Sequence, residues 1–426
     1  MPRACTWASS STAVAAPRSP SATSRISHRF AGSSKAATIC DVSTGASGDY
    51  AIVVSHNLDN DATARASGDY AIIPSHNPDN GGPNPAQTHL VRAFRHSYCQ
   101  AAGNVECRRH GDSDSDRQYK LFVFGDDYAD TGNYPLADLS KTTRAWYYPY
   151  GSNDKDHGMS ASGRFSNGLV LPDFIARILG LDESPPAERR REQDGVDPSG
   201  MNFAVGGAGV MEGTHEAPKL GTQVDKFRRL VRHGIIDKDL TDSVALIAFS
   251  GKRDYARVND MTSSEINAMA QDVTDKIADA VEQLMDLGVE KVLVSTLPPI
   301  GCTPWLSRSS DYSSSCDSQK VASIHNAYLE EKVFKDAAVF NLDLTMMFKR
   351  LTSGSGSLSK KFKHKLEPCC EIFDQSEYCG QMEDGVAAYS LCSTPDKYFY
   401  WDDINPTHAG WKAVVKELEE SIRNFL

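Results

Sequence analysis

The fold is decided by one stretch, residues 121–133, which reads LFVFGDDYADTGN. Its first four residues are apolar and rich in β-formers, which predicts a buried strand. Gly125 and Asp126 then end the apolar run, as expected where a parallel strand of an α/β sheet presents its carboxyl end. Open α/β sheets bind their ligands outside that end of the strands, so we expect a functional site at this turn.

Strand-like and helix-like patterns alternate after this turn. Strands are predicted at 202–205, 242–249, 291–297 and 337–342. Helical spacing is predicted at 167–180, 221–234, 263–288 and 317–335. This alternation is typical of parallel strands with helices on both faces, so the fold class is α/β, a three-layer doubly wound parallel sheet of the flavodoxin-like kind.

Further motifs follow in a fixed order. They are GRFSNG at 163–168, NFAVGGA at 202–208, LPPIGCTP at 297–304, the pair His325-Asn326, and WDDINPTHAGW at 401–411. Together with the first stretch, this set resembles the plant GDSL esterase/lipase family of SGNH hydrolases, over about residues 119–426. The resemblance implies the SGNH-hydrolase fold and, as the family's reaction, hydrolysis of acyl esters.

The resemblance also implies which positions carry the chemistry. Asp127 stands where the family has its nucleophilic serine, and Asn405 stands where it has the histidine base. Asp402 matches the aspartate that orients the base, and Gly207 matches the glycine whose N–H stabilises the oxyanion. Arg253 replaces the oxyanion-hole asparagine of the family's Gly-x-Asn-Asp block. Three of these site residues therefore depart from the family pattern.

The departures leave open how Asp127 and Arg253 interact. Nucleophile and oxyanion-hole side chain face the same small space in this fold, so the two charges could form a partly buried ion pair. Alternatively, Arg253 points into solvent and the site has drifted without selection. A one-residue offset in 251–255 would also displace Arg253.

Other candidate groups are weaker. His408 follows Pro406 and Thr407 and is predicted to begin the C-terminal helix rather than to act as a base. His157 and His215 lie in loop-like sequence and are expected near a pocket rim. Asp126, Asp127, Asp130 and Asp402 could offer oxygen ligands to a divalent cation, but Arg253 would repel it, so no metal is predicted. Glycines 206–209 lack the dinucleotide-binding spacing, and no cofactor is predicted.

Composition limits the partners. The chain has 426 residues and a net charge of −11. Residues 1–116 hold ten acidic and ten basic residues, so the excess of 46 acidic over 35 basic residues lies in 117–426. An acidic domain without a basic stripe argues against nucleic acid, and no apolar segment is long enough to span a membrane. The expected partner is a small acyl ester or lipid-like molecule.

The first 116 residues differ from the rest and are predicted to be a disordered leader. Residues 46–60 and 66–80 repeat each other at a period of twenty, which is too few copies for a solenoid. Residues 1–40 have a transit-peptide-like bias but no apolar core for secretion, whereas family members usually begin with a secretory peptide. Localisation therefore stays open. The domain itself is predicted to cover 117–426.

Six cysteines lie in this domain, at 302, 316, 369, 370, 379 and 392. An even count suits disulfides, which the resemblance also implies, whereas a zinc site is disfavoured because the Cys-x-x-Cys spacing is absent.

Two functions stay open. The first is a degenerate hydrolase that binds an acyl, lipid or acetylated-sugar ligand, or a protein partner, without turnover. The alternative is an active ester hydrolase of the carboxylesterase or lipase type, with a non-standard nucleophile or with errors in the sequence at the changed positions.

Overall fold

The computed structural model describes residues 119–191, 197–211, 217–312, 320–352, 357 and 359–426, together with the backbone of three earlier strands. The chain falls into two compact units, Met1–Ser115 and Asp116–Leu426.

The first unit contains an antiparallel sheet of three strands, in the order β1-β2-β3. These strands are β1 (Ala36–Val42), β2 (Tyr50–His56) and β3 (Tyr70–Pro74). The two copies of the sequence repeat supply β2 and β3, which start at equivalent positions of the repeat. No strand was expected in this part of the chain. The β-branched runs at 52–54 and 72–73 account for β2 and β3. The other residues of the predicted leader lie outside those that the structure describes.

The second unit is built on a parallel sheet of five strands in the order β5-β4-β6-β7-β8. The strands are β4 (Lys120–Gly125), β5 (Gly200–Asn202), β6 (Ser243–Ala248), β7 (Lys291–Ser295) and β8 (Val339–Leu342). Strand β4 lies between β5 and β6, so the chain changes direction across the sheet at β4. The carboxyl end of β4 is therefore a topological switch point, where ligands bind in such folds.

Helices cover both faces of this sheet. They are α1 (Leu171–Ile178), α2 (Leu220–Arg232), α3 (Ser263–Asp286), α4 (Pro304–Ser307), α5 (Val321–Lys332), α6 (Leu344–Thr352) and α7 (His408–Phe425). Leu121 and Val123 pack with α1, α6 and α7, whereas Phe122 and Phe124 pack with α2, α3 and α5. Strand side chains alternate between two buried layers, and the predicted three-layer parallel fold is confirmed.

Local sequence explains where these helices begin. Thr262 and Glu265 form a reciprocal capping box at the start of α3. At the start of α1, the carboxylate of Asp173 accepts the N–H of Val170 and binds the guanidinium of Arg164 through two hydrogen bonds of 2.8 and 3.0 Å. Arg164 of the GRFSNG motif is thus bound to the first turn of this helix.

Between α6 and α7 the chain forms short strands that the sequence did not predict. They are β9 (His364–Pro368), β10 (Cys370–Ile372), β11 (Met382–Glu383), β12 (Val386–Ala387), β13 (Tyr389–Leu391) and β14 (Tyr398–Tyr400). Disulfides join Cys369 to Cys392 and Cys370 to Cys379. Cys302 is also disulfide-bonded, and Cys316 lies outside the described residues. We call residues 364–400 the disulfide segment.

Candidate functional site

The turn after β4 is fixed by a close approach between β4 and β6. A Cβ atom at Gly125 would lie 2.0 Å from the carbonyl oxygen of Ala248, so only glycine fits there. The next residue, Asp126, is buried and accepts hydrogen bonds from the N–H and the hydroxyl of Ser250. Burial, with a smaller effect of the Asp127 charge, raises the pKa of Asp126 to about 8. This carboxyl group therefore ties the ends of two adjacent strands together.

Asp130 ties the same turn to the loop after β5. Its carboxylate accepts the backbone N–H groups of Gly132, Asn133 and Gly206, the last at 2.7 Å. Burial raises the pKa of Asp130 to about 6 although these N–H groups act in the opposite direction. The bond to Gly206 places the next residue, Gly207, beside the turn.

Asp127 lies between an N–H group and a guanidinium. Its Oδ1 accepts the N–H of Gly207 at 2.5 Å, and its Oδ2 lies 3.5 Å from Nη2 of Arg144. Gly207 has a φ of +73°, which favours glycine and directs this N–H at the carboxylate. The Asp127 carboxylate thus accepts the N–H group that, by the family resemblance, would stabilise the oxyanion of a substrate.

Arg144 is the central group of the site. The same Nη2 atom lies 3.4 Å from Oδ2 of Asp402, so one guanidinium bridges two carboxylates. Its Nε donates to the hydroxyl of Tyr150 at 2.8 Å, and its Cζ lies 4.9 Å from the ring centre of Phe165. Burial by itself lowers the pKa of Arg144, but Tyr150 and the two carboxylates outweigh it and raise that pKa well above its usual range.

Asp402 is surrounded by donors. Its Oδ2 accepts the hydroxyl of Tyr150 at 2.8 Å, and both of its oxygens lie 3.0 Å from Nδ2 of Asn405. Its Oδ1 also accepts the backbone N–H groups of Ile404 and Asn405. The Oδ1 atom of Asn405 is buried without a hydrogen-bond partner in the described part of the chain. Asn405 therefore points its amide donor, not its acceptor, at the carboxylate.

The structure brings Asp127, Gly207, Asp402 and Asn405 into one network, and of the alternatives left open for Arg253 it does not show the ion pair with Asp127. Within the described ranges, the ion pair of Asp127 is with Arg144. A Cβ atom on Gly209 would lie 2.9 Å from Cγ of Arg253, so this stem packs against the Gly209 backbone. The neighbouring Asp254 accepts the N–H groups of residues 210 and 211 and fixes the segment there.

Arg144 and Tyr150 were not expected in the site. Arg144 begins the run Arg-Ala-Trp-Tyr-Tyr-Pro-Tyr, in which aromatic residues predict partial burial. Arginine is seldom buried unless it is paired, so an arginine in such a run is a signal of a buried carboxylate partner. The sequence does not show which carboxylate that is.

The histidines lie apart from this network. Nδ1 of His408 accepts the N–H of Leu169 at 3.2 Å, and its ring packs on Phe174, at the start of α7 as predicted. Burial lowers the pKa of His408 from its usual value. His157 contacts Asp154 and Glu183 and lines a separate cavity of about 430 Å³. His215 lies outside the described residues.

A cavity of about 320 Å³ adjoins the site. Arg144 and Asp402 form part of its wall, and the disulfide segment supplies Cys370 and Cys379. The charged and aromatic residues among the rest of the lining are Lys141, Lys252, Trp305, Arg308, Tyr312, Glu371, Glu377, Tyr378 and Asp403, and uncharged polar and aliphatic residues complete it. In the described ranges no group of three or more histidine, cysteine, aspartate or glutamate side chains could hold a metal ion. None of the described helices has the length and apolar character needed to cross a membrane.

The similarity to known proteins extends over the whole parallel sheet and over the helices on both of its faces. A family model described as GDSL-like lipase/acylhydrolase matches residues 121–418, from β4 into α7. The GDSL esterase/lipase At5g03600 of Arabidopsis thaliana is 33% identical over 323 residues, which cover 72% of this chain and 95% of the relative. The GDSL esterase/lipase At5g03610 of the same plant is 34% identical over 326 residues, covering 72% and 87%. Acetylajmalan esterase 2 of Rauvolfia serpentina is 27% identical over 337 residues, covering 70% and 88%. The chain belongs to the GDSL lipase/acylhydrolase family.

Proposed function

We propose that this chain is a non-hydrolysing member of the family, which binds a small acyl-ester, lipid-like or acetylated-sugar type of ligand without turning it over. The observation that carries the proposal is the bridge formed by Arg144 between Asp127 and Asp402. A single buried cation thus pairs with the carboxylate at the nucleophile position and with the carboxylate that would orient the base.

The nucleophile position argues against ordinary ester hydrolysis. A carboxylate paired with a guanidinium is a weak nucleophile, and its attack on an ester would form an anhydride that water must then open. In a well-studied serine protease, removing the serine or the histidine alone lowers turnover by on the order of 10⁶. Loss of an oxyanion-hole side chain costs roughly 10²–10³ more, although such losses are not additive.

The base position supports the same proposal. The Nδ2 atom of Asn405 donates to Asp402, and an amide has no ionisable nitrogen that could take a proton from a nucleophile. Asp402 accepts donors from Tyr150, Asn405 and the backbone, so it is already fully hydrogen-bonded. No described histidine contacts Asp127 or Asp402 through a hydrogen bond or an ion pair.

A restored site is the direct test. The native chain should show no turnover of p-nitrophenyl acyl esters above background and no labelling by a fluorophosphonate, which needs an activated serine. Asp127→Ser alone should do little because its hydroxyl would lack a base. The triple change Asp127→Ser, Arg253→Asn, Asn405→His should recover measurable hydrolysis and labelling, since Asp402 and Gly207 are already in place.

The matched control carries Asp127→Ala with the same Arg253→Asn and Asn405→His changes. It restores the base and the oxyanion donor without a nucleophile, so it should stay inactive. Robust hydrolysis by the native chain that survives Asp127→Ala would contradict the proposal and would favour the alternative of an active ester hydrolase with another nucleophile.

A further inference from the structure

The charged side chains in the wall of the 320 Å³ cavity cancel one another. The described lining includes four cations and four carboxylates. Three ion pairs account for six of these eight groups: Arg144 with Asp402, Lys252 with Asp403, and Arg308 with Glu371. The remaining two are of opposite sign. An ion that entered the cavity would therefore lose its water without finding an excess of the opposite charge, which favours an uncharged ligand.

The wall is also rich in hydrogen-bonding groups. Of the 21 described residues that line the cavity, 13 have charged, amide or hydroxyl side chains. An acyl chain lying against this wall would remove water from these groups and give them no hydrogen bond in return, which costs free energy. A ligand with several hydroxyl groups replaces the lost water, because each hydroxyl both donates and accepts.

Two carboxylates in the wall are fixed through one oxygen and open at the other. Oδ2 of Asp403 is held by the ammonium of Lys252, and Oε1 of Glu371 accepts the hydroxyl of Tyr312 and lies 3.7 Å from Nε of Arg308. Oδ1 of Asp403 and Oε2 of Glu371 have no hydrogen-bond partner among the described residues. Both side chains are only partly exposed, at 26% and 29%. Each is therefore an oriented acceptor for a ligand hydroxyl.

An aromatic ring lies beside the first of these carboxylates. Trp305 lines the cavity, and its backbone N–H donates to the carbonyl oxygen of Asp403 at 2.7 Å. Nζ of Lys252 is 5.9 Å from the centre of the indole ring. The face of an aromatic ring carries partial negative charge and packs against C–H groups that carry partial positive charge. A pyranose ring has such C–H groups on one face and hydroxyls around its edge, so it matches an indole flanked by carboxylates.

We propose that the cavity binds an uncharged sugar ring, which stacks on Trp305 and donates hydroxyls to Asp403 and Glu371. The volume of 320 Å³ is near the lower end of the range of about 300–1,000 Å³ typical of small-molecule sites, so the ligand is short. This inference rests on the proposed function and deepens it. Among the ligand types named there it selects the acetylated sugar, and it places the sugar rather than the acyl group in this cavity.

The test compares sugars with hydroxyl-free molecules of similar size on the full chain. Binding of methyl β-xyloside, methyl β-glucoside and methyl β-galactoside is measured by saturation-transfer NMR and by titration of tryptophan fluorescence. Methoxycyclohexane and methyl hexanoate are the comparison ligands. We expect at least one glycoside to bind about tenfold or more tightly than either, because a site built to bind hydroxyls rejects analogues that lack them.

Two further measurements test whether the ligand is uncharged. Glycoside binding should not change as ionic strength rises, since no net charge is transferred into the cavity. The anion methyl β-glucuronoside should bind no more tightly than methyl β-glucoside. Tighter binding of the anion, weakened by salt, would overturn the inference.

Variants of the wall locate the contact. Trp305→Ala should weaken glycoside binding by about tenfold, and Trp305→Phe, which keeps an aromatic face, should retain most of it. Glu371→Gln should weaken binding about fivefold through loss of a charge-assisted hydrogen bond. Glu367→Gln is the matched control, since Glu367 is an exposed glutamate outside the cavity wall, and it should change nothing.

The native chain alone gives a second readout, which does not depend on the folding of any variant. Saturation transfer should be strongest at the C–H protons on one face of the sugar ring. Even transfer to all ring protons, glycoside binding unchanged in a folded Trp305→Ala, binding of none of the three glycosides, or equal binding of methyl hexanoate would each overturn the inference.

One more ligand separates this inference from the proposed function. Methyl 3-O-acetyl-β-xyloside is incubated with the native chain, and released acetate is followed by chromatography. Acetate release would contradict the proposed lack of turnover, while sugar binding would still be read from the glycosides, which contain no ester. Failure of the glycosides to bind would overturn the sugar assignment and leave the lack of turnover intact.

Discussion

Arg144 determines the electrostatics of the site because two buried carboxylates depend on one guanidinium. Asp127 and Asp402 are 7% and 3% exposed, and the Arg144 side chain lies between them. Breaking a buried ion pair by removing one partner typically costs 3–5 kcal/mol, about what an unpaired buried charge costs. The same bridge that fills the site should therefore stabilise the fold.

We expect Arg144→Gln to lower the free energy of unfolding by about 3 kcal/mol, since both carboxylates lose their counter-ion. Adding Asp127→Asn should recover part of this loss by removing one of the two negative charges. Urea unfolding of the two variants measures both effects.

Arg177→Gln is the matched control because Arg177 pairs with Asp156 at an exposed position, where the loss should be below about 1 kcal/mol. Equal losses for Arg144→Gln and Arg177→Gln would show that the bridge contributes nothing.

The positions of Asp127, Gly207, Asp402 and Asn405 could be predicted because each lies in an ordered sequence motif. Arg144 could not, since its partners are 17 and 258 residues away along the chain and no local pattern encodes such pairs. The functional roles assigned to these residues stay predictions.

At the scale of elements, α5 presents a buried histidine to the loop after β6. Nδ1 of His325 lies 2.9 Å from the hydroxyl of Tyr255. Burial, with a smaller effect of Lys332, lowers the pKa of His325 to about 3. The histidine is therefore neutral in the folded chain at pH values where it would be charged in the unfolded chain.

This difference predicts a pH dependence of stability. Below about pH 6.5 the unfolded chain binds a proton at His325, whereas the folded chain binds one only near pH 3. Protonation therefore favours the unfolded chain. The contribution of the neutral, buried His325 to the free energy of unfolding is complete above pH 6.5 and is lost as the pH falls from 6.5 towards 3. The difference in unfolding free energy between the native chain and His325→Gln should shrink below pH 6.5 by up to about 1.4 kcal/mol per pH unit.

Tyr255→Phe is the control because it removes the hydrogen bond and keeps the histidine. It should lower stability without removing the pH slope. Parallel pH curves for the native chain and His325→Gln would contradict the assignment.

Elements with a clear hydrophobic periodicity could be predicted from the sequence. The ends seen in the structure differ from the predicted ends by a few residues. Strand β5 lies at Gly200–Asn202, earlier than the predicted 202–205, because pairing with Leu121–Val123 sets its register. Strands β9, β10, β13 and β14 of the disulfide segment have three to five residues and are fixed by pairing with distant residues and by two disulfides. Short local sequence does not contain that information.

At the scale of the whole molecule, the second unit has a core of its own. Its buried layers on both sides of the sheet are formed by residues from Tyr119 onward. The acidic excess also lies in this part of the chain.

We expect that deleting residues 1–115 changes the thermal unfolding midpoint of Asp116–Leu426 by no more than a few degrees, because the described buried layers are formed by residues from Tyr119 onward. Calorimetry of the full and shortened chains is the measurement. A fall of many degrees in a shortened chain that is still soluble would show that the leader stabilises the second unit.

The central place of β4 in the sheet has a consequence during synthesis. Strand β4 ends at Gly125, and its two neighbours begin at Gly200 and Ser243. At about 5–20 residues per second, a ribosome needs roughly 4–15 s to deliver the nearer neighbour and more than that for the other. The apolar run of β4 must wait that long without a partner on either edge. Nascent chains of this protein should therefore depend on chaperones for that interval more than chains whose first strand lies at the edge of the sheet.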